Sequence, residues 1–96
     1  MKFKIDSVDL SIVINCLDQM RWHYADDVQK EIDETILSLI EIYDHMKPGW
    51  RKRIRITSAE HLLIIQCLIE WRNLFLSAGE EAKAAAVGEI ISEFIK

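Results

Sequence analysis

Apolar residues recur at steps of three and four through the middle of the chain. Val28, Ile32, Ile36, Leu39, Ile40, Tyr43 and Met46 share one side of a helix, with Lys30, Asp33, Glu34 and Glu41 opposite. That spacing predicts a helix over 27–46 that lays a single stripe on a core. The segment before it reads differently. Leu10, Ile12, Val13, Ile14, Cys16, Leu17 and Met20 spread around most of a helical cylinder, as do Leu62, Leu63, Ile64, Ile65, Cys67, Leu68 and Ile69. Helices over 7–25 and 58–76 therefore need cover on several sides. A fourth helix is expected over 78–95. Ahead of the first and third helices stand Lys2-Phe3-Lys4-Ile5 and Arg53-Ile54-Arg55-Ile56. Their period of two predicts short strands that pair as a ribbon, burying Phe3, Ile5, Ile54 and Ile56 on the helices.

The two halves match each other. An offset of 51 aligns 2–45 with 53–96 without a gap, leaving 46–52 as a linker, and seven of the 44 pairs are identical: Ile5/Ile56, Ser7/Ser58, Ile14/Ile65, Cys16/Cys67, Leu17/Leu68, Arg21/Arg72 and Ile40/Ile91. Punctuation recurs at the same offset. Thr57-Ser58-Ala59-Glu60 is a capping box matched by Asp6-Ser7-Val8-Asp9, and Ser77-Ala78-Gly79-Glu80 reads as a second one matched by Asp26-Asp27-Val28-Gln29. The expected fold is mainly α, a single domain over 1–96 made of two strand–helix–helix units in a four-helix arrangement with a small two-stranded ribbon. Helices one and three stack centrally about a pseudo-two-fold axis, and helices two and four lie outside.

Charge adds a surface to this frame. The chain carries a net −4, but Lys2, Lys4, Lys47, Arg51, Lys52, Arg53 and Arg55 fall in two segments without an acid, leaving five cations against sixteen acids elsewhere. If the alternating stretches pair, Lys2, Lys4, Arg53 and Arg55 point the same way beside Trp50, a set suited to phosphate, nucleic-acid backbone or an acidic protein. The arginines at 51, 53 and 55 are preferred as contacts because a guanidinium bonds carboxylate or phosphate in pairs. The plainer alternative is a solvated linker whose charges offset the acidic helices. Trp50 either stacks beside the arginines or, the favoured reading after Pro48-Gly49, closes the turn against the core. A DNA-reading helix-turn-helix is disfavoured, because the second helix sets Asp26, Asp27, Glu31, Asp33, Glu34, Glu41 and Asp44 against Lys30 alone.

Other chemistry is sparse. Cys-x-x-Cys, Glu-x-x-His, glycine-rich phosphate loops and a nucleophile elbow are missing from the sequence, so neither an enzyme nor a metal or other cofactor is expected. Cys16 and Cys67 occupy matched positions and read as free thiols in core niches. His61 stands where the first unit has Leu10 and is expected to point inward with a hydrogen bond. Arg21 and Arg72 are expected to bridge to acids of the outer helices. Ala84, Ala85 and Gly88 offer a flat face whose plainer use is packing within the chain; with the apolar surplus of helices one and three, the expectation is that it seats a second copy in a homodimer. Asp6 interrupts the stretch a signal peptide needs, and no apolar run reaches the roughly 18 residues of a bilayer span, so the chain reads as cytoplasmic. The functional expectation is a small non-enzymatic regulator, adaptor or inhibitor that binds another macromolecule, most simply a protein. Its size suits accessory proteins of phages and mobile elements. The alternative is a nucleic-acid or nucleotide binder using the basic segment 47–55.

Overall fold

The computed structural model describes residues 2–95, and the expected burial of the Phe3 side chain lies outside that description. The order is β1 (Lys2–Asp6), α1 (Ser7–Met20), a 3-10 turn (Arg21–His23), α2 (Asp26–Asp44), β2 (Arg51–Arg55), α3 (Ser58–Ser77) and α4 (Glu81–Ile95). A mainly α fold with a small antiparallel ribbon results, and strand–helix–helix occurs twice.

Both strands hand over to helices through the caps read in the sequence. Asp6 Oδ1 accepts from the Asp9 amide at 2.7 Å. Thr57 Oγ1 accepts from the Glu60 amide at 3.1 Å while Glu60 Oε1 accepts from the Thr57 amide at 2.9 Å, a complete capping box. The second pair of expected caps is corrected. α3 runs through Ser77, and Gly79 adopts φ 76° while its amide donates to the Leu76 carbonyl and that of Glu80 to the Phe75 carbonyl. Ser77–Glu80 is thus a Schellman stop, and α4 begins only at Glu81. In the first unit Ala25 takes the N-cap position of α2 without a side-chain bond, and Asp26 and Asp27 sit in the first turn, where the helix dipole favours them. The first helix also ends five residues before the expected 25, because the chain tightens into the 3-10 turn and becomes extended at Tyr24.

In the ribbon Lys2 pairs with Arg55, Phe3 with Ile54, Lys4 with Arg53, Ile5 with Lys52 and Asp6 with Arg51. The central pair, Phe3 and Ile54, is one that the offset of 51 equates, so the ribbon's register is unchanged when the two strands are exchanged. Ile5 and Ile54 in the ribbon, with Ile56 just beyond it, are buried. They join one core cluster with Leu10, Val13, Leu17 and Met20 of α1, Ile32 and Leu39 of α2, Ile64 and Leu68 of α3, and Val87, Ile91 and Phe94 of α4. α1 and α3 pack on each other, α2 covers α1 and α4 covers α3.

The outer helices are not rotated alike. α2 buries Ile32, Thr35 and Leu39, whereas α4 buries Ala84, Val87, Ile91 and Phe94 along with Ile90. Tyr43 is 40% exposed while Phe94, its match, is 3% exposed. The cause is local: Ala84 and Gly88 stand where α2 has Asp33 and Leu37, and small residues let α4 turn that side onto α3. Ala84 is buried and a Cβ on Gly88 would lie 4.0 Å from Arg72 Cδ, so two residues of the expected self-association face are used within the chain, and Ala85 alone is exposed.

His61 follows expectation: its Nε2 donates to the Phe94 carbonyl at 2.6 Å and its ring stacks on Phe94. The arginines part company. Arg21 makes a paired bond to Asp33 at 2.8 and 2.6 Å, but position 84 offers Arg72 no carboxylate, and its Nε is buried with no hydrogen-bond partner. Cys16 and Cys67 are free and buried. Burial pushes the Cys67 thiol up to about 11, and burial first and Cys67 second push up that of Cys16.

Candidate functional site: the basic ribbon

Alternation along two paired strands puts every second side chain on one face. Ile5 and Ile54 turn inward, so Lys2, Lys4, Arg53 and Arg55 face out, and all four are exposed. The register sets Lys2 directly opposite Arg55 and Lys4 directly opposite Arg53. Like charges opposite one another destabilise a ribbon, and none of these four joins an ion pair among the described residues. The result is a compact cationic face with lysines along β1 and arginines along β2.

Arg51 is different. Its Nη2 donates to the Lys4 carbonyl at 3.1 Å and pairs with Glu93 Oε2 at 3.3 Å, which ties the start of β2 to α4. Asp6, opposite Arg51, is committed to capping α1. Acids gather at this end: burial, then Asp6 and then Glu93 hold the Asp9 carboxyl above its usual range, and Arg51 only partly offsets them. Arg51 therefore serves as an anchor between strand and helix, and Lys52, paired with Ile5, starts from the inward side of the ribbon.

Trp50 corrects the favoured expectation. Lys47–Trp50 form a type II turn, with the Trp50 amide donating to the Lys47 carbonyl at 3.1 Å and Gly49 at φ 77°. The indole does not close that turn against the core; it is 66% exposed, with Lys47 Nζ 5.5 Å from the ring centroid. The structure thus brings Lys2, Lys4, Arg53 and Arg55 together, leaves Trp50 as an exposed neighbour at the entry to β2, and assigns Arg51 to the scaffold.

Two features escaped the sequence. Arg21, fixed by Asp33, stacks over the exposed Trp22 at 4.4 Å, and Tyr24 donates through its hydroxyl to Glu70 Oε2 at 2.5 Å while accepting from Cys67 Sγ at 3.8 Å. The first was signalled by adjacency of Arg21 and Trp22; the second spans the two units and has no local signature. Among the described residues no three metal-ligating side chains converge, and no helix is long and apolar enough to cross a membrane. No family model matches the chain, and neither a curated protein nor a solved structure matches it.

Proposed function

We propose that the chain is a small non-enzymatic regulator that binds double-stranded DNA by laying the outer face of its ribbon in the major groove. The observation that carries this reading is the register, which sets four cations that join no ion pair among the described residues on one face despite their repulsion across the strands. The major groove, about 12 Å wide, admits a two-stranded ribbon whose strands lie about 4.8 Å apart, and phosphates on both sides supply the charge that this face lacks. A register that is unchanged when the two strands are exchanged matches the local dyad of a duplex. The match is imperfect in a useful way: both arginines lie on β2 and both lysines on β1. Arginine reads guanine O6 and N7 with paired bonds, so the expected site is a near-palindrome richer in guanine under β2.

The acidic remainder of the chain favours a second reading, an anionic patch on a compact protein that meets the ribbon without approaching the helices. Titration of a mixed-sequence duplex, followed by fluorescence anisotropy, separates the two. With four phosphates neutralised, the logarithm of affinity should fall with the logarithm of salt at a slope of about −3.6, so that going from about 50 to about 200 mM salt weakens binding on the order of a hundredfold. Arg53→Glu/Arg55→Glu should abolish binding with helical content unchanged. Absence of binding at low salt, or binding that survives this reversal in a folded protein, rejects the DNA reading.

A further inference from the structure

The two units differ most where α2 and α4 meet the central helices. In the first unit Ile32 is fully buried and Thr35 nearly so. The offset of 51 puts Lys83 and Ala86 at those places in the second unit, and both are exposed. The rotation of α4 turns both positions outward, and no isoleucine-sized side chain from α4 stands there. Beside them α1, α3 and α4 border an open groove of about 320 Å³, lined by Ile12, Trp71, Phe75 and Val87. The Trp71 and Phe75 rings lie 4.9 Å apart and tilted. One rim carries Asn15 and Gln19, whose side chains share a 3.4 Å hydrogen bond, and the other carries Lys83. Lys83 Nζ stands 5.7 Å from the centroid of the Phe75 ring and 2.9 Å from Glu80 Oε1, an exposed partner on the same chain segment.

We propose that this groove binds a small aromatic carboxylate, its ring between Trp71, Phe75 and Val87 and its carboxylate on Lys83. The volume lies at the lower end of the range for small-ligand sites, enough for one ring with a short chain. Apolar walls take part of the ring's surface from water, and Lys83 at the mouth selects an anionic end. An incoming carboxylate takes the place of Glu80 on Lys83, and the Asn15 and Gln19 amides offer donors on the opposite rim. The site is separate from the ribbon, so its test does not depend on DNA binding.

The test uses a full-length Trp22→Phe/Trp50→Phe protein, in which Trp71 is the sole tryptophan and reports from the groove wall. The probes are 3-phenylpropionate and its uncharged amide, 3-phenylpropionamide. Saturable change in Trp71 emission is expected with the acid, with affinity about tenfold above that of the amide. Lys83→Gln should remove that preference, bringing the acid to the level of the amide. Ala86→Leu, which refills the groove from an exposed position, should weaken both probes. Equal affinity for acid and amide in the parent protein overturns the proposal, as does a preference that survives Lys83→Gln. Emission that does not saturate with the acid also overturns it. So does acid binding that Arg53→Glu/Arg55→Glu eliminates and Ala86→Leu leaves intact, since that places the anion on the ribbon. Lys83→Gln alters an exposed side chain and keeps the test decisive even if Ala86→Leu perturbs folding.

Discussion

If the outward row of the ribbon is kept for a ligand at the expense of stability, reversing one of its strands should make the protein more stable. Lys2→Glu/Lys4→Glu turns the two like-charged pairs, Lys2 with Arg55 and Lys4 with Arg53, into opposite-charged ones. A directly opposed pair contributes roughly 0.2–1 kcal/mol, and each site loses a repulsion as well as gaining an attraction. Exposure and screening by salt hold the sum for both sites to about 1 kcal/mol. Strand propensity does not confuse the comparison, because lysine and glutamate are similarly disfavoured in strands. For a chain of this size about 1 kcal/mol raises the melting temperature by about 4–8 °C. Thermal unfolding followed by circular dichroism, at low and at high salt, measures it. The gain should shrink as salt rises, and DNA affinity should vanish in the same variant. A variant that melts below the parent at low salt, or a gain indifferent to salt, refutes the claim that these cations repel one another across the ribbon.

Further expectations follow from single positions. Gly79→Ala should destabilise by about 1 kcal/mol in a denaturant titration, since φ is 76° while nothing crowds the added Cβ, whereas Gly88→Ala, inside α4 with Arg72 Cδ at 4.0 Å, should stabilise by up to about 1 kcal/mol. Asp9 is held above its usual range mainly by burial, so its ionised form weighs against folding at neutral pH; Asp9→Asn should raise the melting temperature there, with the gain fading as pH falls through the raised range towards the ordinary value of 3.8 and absent below it. Cys67 keeps its proton to about 11 in the folded chain against 9.0 for an ordinary thiol, so the unfolded chain sheds that proton first and stability should fall as pH rises from 9.0 towards 11; Cys67→Ala should flatten this decline in urea titrations across that range. Replacing Arg51 by Gln should loosen β2 from α4, seen as faster amide exchange in Arg53–Arg55.

Local chemistry made much of this fold legible. The alternation at 2–5 and 53–56 and the caps at Asp6 and Thr57 each rest on neighbours within a few positions, and the structure has both; the cover expected around α3 is incomplete, since Leu62 and Ile69 remain exposed on the side that no other helix reaches. Ser77–Glu80 was misread because serine followed three places later by glutamate suits a helix start, while the glycine between them, at positive φ, makes a stop. The unequal rotation of α2 and α4 was hidden because both carry apolar residues at helical spacing; which stripe turns inward depends on what Ala84 and Gly88 allow against α3. At the ribbon, charge and alternation set Lys2, Lys4, Arg53 and Arg55 on one face, and the register has them there. Sequence did not separate Arg51 from them, because its partners, the Lys4 carbonyl and Glu93, are both distant along the chain. Nor did it find the groove beside Trp71, although the change from Ile32 to Lys83 at matched positions was its visible trace.

The central claim, that the ribbon face takes the major groove, is tested most directly by adding duplex DNA to isotope-labelled protein and following backbone amides by nuclear magnetic resonance. The account expects the largest shifts at residues 2–4 and 53–55, on both strands of the ribbon, with α2 and its acidic face unaffected. Shifts confined to the helices, or none at concentrations where anisotropy reports binding, would contradict it.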